Sequence, residues 1–154
     1  MKISLKITTA GFLASLVMFT LIYASIHVLH WAPFNVPPSA AFLYNLGIEN
    51  RAYSLLLHFG YGILWSFVLV YTFEDDLSMG KALLLALILW FFMMIVYSPL
   101  IGWGLFGNGF AHHLPNQHPI YLRSAVSYMF VTLLVHLVYG LVLGFLNRRF
   151  QTTV

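Results

Sequence analysis

The chain has 154 residues and no cysteine, and only 7% of it is charged. Without cysteine there is no disulfide framework, no thiol redox chemistry and no Cys-ligated zinc or iron–sulfur centre. A soluble domain carries about 25% charged residues, so a water-soluble globule is excluded. An apolar content of 61% excludes a disordered tail. Carboxylates are scarcest, with four Asp and Glu in all, and none lies within an apolar run, where a proton relay would need one. No Ser/His/Asp or Cys/His nucleophile set and no P-loop is present. The formal charge of +3 is scattered rather than gathered into a patch, so no nucleic-acid partner is expected. An enzyme is not expected either.

What is present is long apolar sequence. The charges sit in five short clusters: Lys2 and Lys6; Glu49 and Arg51; Glu74, Asp75, Asp76 and Lys81; Arg123; Arg148 and Arg149. Between them lie four runs of roughly 20 residues, enough to cross a hydrocarbon core of about 30 Å as helices. They are placed at 9–31, 52–73, 82–100 and 124–146, within one integral membrane domain covering 1–154. Lys2 and Lys6 ahead of the first run resemble a signal-peptide start, but the run exceeds the 7–15 residues or so of a signal h-region. It is read as a retained helix. The expected class is an all-α, four-helix, up-down membrane bundle.

If the N-terminus is cytoplasmic, Lys2, Lys6, Lys81, Arg148 and Arg149 lie inside and Arg51 and Arg123 outside. The basic imbalance puts both termini inside. The short link from Glu74 to Lys81 predicts a tight antiparallel hairpin of the second and third helices. The two outer loops, 32–51 and 101–123, are longer. Pro37, Pro38 and Gly47 bracket a short apolar stretch, which predicts one or two turns of interfacial helix. The second loop, rich in Gly and His, cannot face lipid and is expected to fold over the outer mouth of the bundle.

The sequence carries an internal echo. The second helix reads His58-x-x-Tyr61-Gly62-x-x-x-Ser66, and the fourth reads His136-x-x-Tyr139-Gly140-x-x-x-Gly144. Two two-helix units in parallel repeat are the natural reading. Positions i, i+4 and i+8 share a helical face, so Gly62 with Ser66, and Gly140 with Gly144, form small-residue stripes suited to close helix packing.

With these residues in view, the chain resembles the YagU-like group of small bacterial inner-membrane proteins. The resemblance spans all four helices. It rests on His136 to Gly140, on the copy at His58 to Gly62, and on Pro99-Leu-Ile-Gly-Trp-Gly-Leu-Phe-Gly107. It implies the four-helix fold and a bacterial inner-membrane address, and it brings no catalytic residue with it.

Four constellations are candidates for chemistry. His58 and His136 lie within the spans, where an ionisable residue is a functional hypothesis by default. They suit either bis-His haem b ligation between diagonal helices or neutral histidines hydrogen-bonded to a neighbouring helix. Helix rise puts them at depths differing by roughly 6–9 Å, which favours structural histidines over a shared haem. His27, His30, His112, His113 and His118 gather toward the outer side and suit a divalent metal. Their competing reading is an interfacial belt beside Trp31 and Trp103. Gly102-x-Gly104-x-x-Gly107 matches a dinucleotide fingerprint in letters, but outside a βαβ unit it reads as a tight turn. Glu74, Asp75, Asp76 and Lys81 read as a solvated turn.

The expected function is that of an accessory or interaction subunit in the membrane, needing no cofactor, with the bilayer, other membrane proteins or a second copy as partners. The alternative is a haem- or metal-binding membrane protein. A small transporter ranks third.

Overall fold

A computed structural model describes residues 2–151, apart from the side chains of Lys2, Asp75 and Gln151. Two charges that entered the sequence reading, Lys2 and Asp75, thus have no described side chain. The elements in order are α1 (Lys2–His27), α2 (Pro38–Asn45), α3 (Arg51–Phe73), α4 (Met79–Phe92), a π-helical turn (Met93–Tyr97), α5 (Ser98–Leu100) and α6 (Ala125–Gln151). Four spans are long and apolar enough to cross a membrane: Ile3–His27, Arg51–Phe73, Met79–Leu100 and Ala125–Phe150.

The spans match the apolar runs, but their ends differ for physical reasons. The first helix begins seven residues before the expected start, at Lys2, because helical hydrogen bonding does not stop where hydrocarbon does. It ends at His27 rather than Trp31, since the amides of Trp31 and Ala32 turn back onto the Ser25 carbonyl (both 3.1 Å). The last helix runs past the expected Leu146 to Gln151, where Arg148 and Arg149 suit the negative end of the helix dipole. Asn50 caps α3 through the Ala52 amide (2.9 Å), and Ser78 caps α4 through the Lys81 amide (3.3 Å). Pro99 lies in the last turn of the third span, one residue before its end at Leu100. Its ring would crowd the carbonyl of Ile95 in an α-helix; a widened π turn immediately precedes it, with the Ser98 amide reaching back to Met93.

Packing follows the small residues. A Cβ at Gly62 would lie 2.5 Å from Ser15 Cβ, and one at Gly11 would lie 2.7 Å from Ile63 Cα. A Cβ at Gly140 would lie 2.7 Å from Ala86 Cβ, and one at Gly144 would lie 2.6 Å from Ala82 Cβ. So α1 and α3 touch backbone to backbone along Gly11/Ser15 and Gly62/Ser66, while α4 and α6 do so along Ala82/Ala86 and Gly140/Gly144. The third large interface joins α1 to α6. Buried hydrogen bonds tie α3 to α6 at the end that carries the termini. Tyr139 donates to the Gly62 carbonyl (2.8 Å), Asn147 to Ser66 Oγ (3.1 Å), and Ser66 to the Ile7 carbonyl of α1 (2.9 Å).

The expected tight hairpin of the second and third spans is not what forms. The link is short, with one 3-10 turn at Glu74–Asp76 and Lys81 paired to Asp76 and set over the Phe73 ring. Beyond it α3 and α4 diverge, because each is drawn onto a different small-residue seam. Large side chains, among them Tyr61, Leu64 and Phe92, stand along the fourth side.

The other end of the bundle is closed by both loops together. Trp103 is fully buried, stacks on Phe34 (5.6 Å) and donates to the Ile120 carbonyl (2.9 Å). The Arg123 amide bonds the Pro33 carbonyl (2.7 Å), and Asn35 spans to the carbonyls of Asn116 and His118. Helix α2 lies in this cap where Pro38 and Gly47 predicted it, with Gly47 at φ 75° closing it.

Candidate functional site

The open side between α3 and α4 leads into an apolar cavity of about 370 Å³, at the lower end of the range for small-molecule sites. Ser15, Met18 and Ile22 of α1 form its back wall, and His58, Gly60, Tyr61 and Gly62 of α3 one flank. Phe92, Met93 and Tyr97 form the opposite flank, so the π turn is cavity wall. Thr132, Val135, His136 and Tyr139 of α6 make the floor. Phe34, Pro38, Ser39 and Phe42 roof it from the cap. Tyr97 fastens the roof by donating to the Pro38 carbonyl (3.0 Å) and stacking on Phe42 (5.3 Å). Leu57, Tyr61, Leu64 and Phe92 at the mouth are exposed, on a surface that meets lipid if the spans cross a bilayer.

The two intramembrane histidines of the sequence reading share this cavity. His58 Nε2 donates to the Ser15 carbonyl of α1 (3.0 Å), and the ring packs against Phe19 and Phe59 (5.5 Å each). That is the neighbouring-helix partner expected of it. His136 is 3% exposed and differs: its Nδ1 donates to the Thr132 carbonyl of its own helix (2.7 Å). The expected depth mismatch shrinks, because α6 extends to Gln151. Each histidine now lies roughly 22 Å along its helix from the end near the termini, at 1.5 Å per residue. About 6 Å of mismatch remains when counted from the capped ends.

The other candidates separate. His27 packs on Tyr23 (4.5 Å), His112 donates to the Gly107 carbonyl (2.6 Å), His118 meets the Tyr44 ring edge-on (5.6 Å), and His113 is exposed. His30 sits in a left-handed turn at φ 54°. Among the described residues no three histidine or carboxylate side chains gather so as to hold a metal ion. Gly102, Gly104 and Gly107 all have positive φ (84°, 72° and 83°), so they form turns. The stripes Gly62/Ser66 and Gly140/Gly144 are buried seams.

Sequence reasoning missed Tyr97, Thr132 and Asn147. Thr132 donates to the Tyr128 carbonyl (2.6 Å) and accepts from the Trp90 indole (3.2 Å). The available signal was a polar residue inside or at the edge of an apolar run, and for Tyr97 its place just before Pro99. No family model, curated protein or solved structure matches the chain.

Proposed function

We propose that this is a multi-pass protein of the bacterial cytoplasmic membrane that takes a lipid-soluble molecule into the cavity between α3 and α4. One observation carries the reading: an apolar space with buried, hydrogen-bond-capable groups is bordered by exposed apolar residues of the spans, Leu57, Leu64 and Phe92. The bacterial address comes from the resemblance to the YagU-like group.

The orientation with both termini cytoplasmic is supported by the basic imbalance and by Lys6 donating to the Phe150 carbonyl (3.1 Å), which brings the two ends together. The up-down order is supported by the pairing of Ile7 with Ser66 and Ser15 with His58, and by that of Ala86 with Gly140 and Ala82 with Gly144. The two-helix repeat gains support from the same seams, since α1 with α3 and α4 with α6 each close on small residues four apart.

Haem is the second reading, favoured by both imidazoles facing one cavity while each donates its bonded nitrogen to a backbone carbonyl, as metal-ligating histidines do. Against it, the nitrogen left over on His58 is Nδ1, beside the side-chain stem, where a macrocycle meets the histidine's own helix. A role as an accessory subunit leaves the cavity without use and ranks lower.

The test is photolabelling in lipid nanodiscs with a diazirine-bearing fatty alcohol, with peptides mapped afterward. Label on Met93 and Val135 that is lost in Gly60→Phe supports the reading, because Gly60 lines the cavity and has open space for a side chain, so a phenyl ring there is expected to narrow the mouth. Label confined to outward-facing residues, unchanged by Gly60→Phe, overturns it. A Soret band in the purified wild type would replace it with haem.

A further inference from the structure

We infer that the cavity selects an apolar molecule whose head is a hydrogen-bond-donating hydroxyl, such as a hydroquinone or a long-chain alcohol, over its ketone or quinone counterpart. The inference rests on the reading of the cavity as a site for a lipid-soluble molecule.

A carbonyl only accepts, so the ring nitrogens bonded to Ser15 and Thr132 are the protonated ones: Nε2 of His58 and Nδ1 of His136. Among the described residues no carboxylate lines the cavity to compensate an imidazolium, and an uncompensated charge in apolar surroundings is costly. Each ring is therefore neutral and keeps one bare lone pair, on His58 Nδ1 and His136 Nε2. Neither has a second partner among the described residues. His136 is the telling one, being almost wholly buried with its remaining nitrogen unmatched.

The lining hydroxyls supply few donors in return. Tyr139 gives its proton to the Gly62 carbonyl, Tyr97 to Pro38, Thr132 to Tyr128 and Ser15 to Gly11. Ser39 and Ser54 are paired (3.0 Å), which uses one of their two protons and leaves the other at the roof. Tyr61 stands at the mouth against the Trp65 ring, and its hydroxyl proton has no acceptor among the described residues, so one spare donor lies there. The backbone amides of the walls and floor lie in helices, while Phe34 of the roof belongs to the cap loop. The deep part around His136 is thus rich in acceptors and poor in donors, the spare protons standing at the mouth and roof, so a carbonyl entering there loses its hydration without replacement. An entering hydroxyl satisfies His136 and is itself satisfied.

The test is a titration of delipidated protein, read by native mass spectrometry, with four probes: a decyl hydroquinone, its oxidised quinone, 1-dodecanol and dodecane. Wild type is expected to bind the two hydroxyl-bearing probes about tenfold more tightly than the quinone and the alkane, the effect of one net hydrogen bond. In His136→Phe that preference should collapse to near unity while binding persists. His136→Gln, which adds an amide donor, should admit the quinone as well. A hydroquinone preference over dodecanol assigns the site to a redox-active aromatic, and equality or the reverse assigns it to a lipid alcohol; both support the inference. Quinone bound as tightly as hydroquinone by wild type overturns the inference and leaves the cavity's assignment standing. No binding of any probe, with Gly60→Phe indistinguishable from wild type, overturns the assignment itself.

Discussion

Two glycines of α3, two residues apart, should respond to alanine in opposite senses. A Cβ on Gly62 would stand 2.5 Å from Ser15 Cβ, 2.8 Å from Ser15 Oγ and 3.2 Å from the Gly11 carbonyl. Carbon contacts are comfortable at about 3.5–4.0 Å, so α1 and α3 must part locally by about 1 Å. Overpacking of this kind costs about 1–3 kcal/mol, and the better helix propensity of alanine returns up to about 1 kcal/mol. Gly62→Ala should therefore destabilise by about 1–2 kcal/mol. A Cβ on Gly60 meets nothing within 4 Å, so Gly60→Ala keeps only the propensity gain and should stabilise by about 0.5–1 kcal/mol. Ser15→Gly removes the two nearest clashing atoms, and its combination with Gly62→Ala should recover about 1 kcal/mol beyond the sum of the single changes. Unfolding in mild detergent, followed by circular dichroism, measures all four proteins. Gly62→Ala as stable as Gly60→Ala, or a strictly additive double mutant, would refute the close seam.

Gly140→Leu should destabilise the protein in the same assay by about 1–3 kcal/mol, because Ala86 Cβ and the Ala82 carbonyl already stand 2.7 and 3.0 Å from the position of its Cβ; an unchanged melting curve would mean the stripe faces lipid. His136→Gln should be tolerated within about 1 kcal/mol, since the bond it replaces runs to a carbonyl of its own helix; a much larger loss, or a bleached pigment, would give that ring a role beyond the one drawn. A C-terminal green fluorescent fusion should be bright and an alkaline phosphatase fusion inactive, and the opposite pair would invert the orientation.

The sequence made the spans legible because charge is so rare in it. Helix α2 was legible from Pro38 and Gly47, and the seams from Gly62/Ser66 and Gly140/Gly144. Their partners were not, because Gly11 and Ser15, or Ala82 and Ala86, become meaningful only once helices pair. The cavity was least legible of all. It is made by what does not touch: α3 and α4 are joined by a short link, which promised a hairpin, yet stronger seams pull them to opposite neighbours. Pro99 lies one residue before the end of the third span, as the run 82–100 placed it, but the π turn before it, which supplies cavity wall, left no mark in the sequence pattern. His58 and His136 stood out in the sequence as polar residues inside apolar runs, but that they line one cavity did not, and their relative depth depended on a helix end, which apolar run length locates poorly when arginines continue the helix.

The claim that matters most is that the cavity holds a lipid-soluble molecule in the cell's own membrane. Native mass spectrometry of wild type and Gly60→Phe, each released from native membrane into mild detergent, tests it in one comparison. The account predicts a reproducible bound small molecule on wild type, apart from ordinary phospholipid, that is strongly depleted on a folded Gly60→Phe. Identical spectra for the two proteins, showing phospholipid alone or nothing bound, would contradict it.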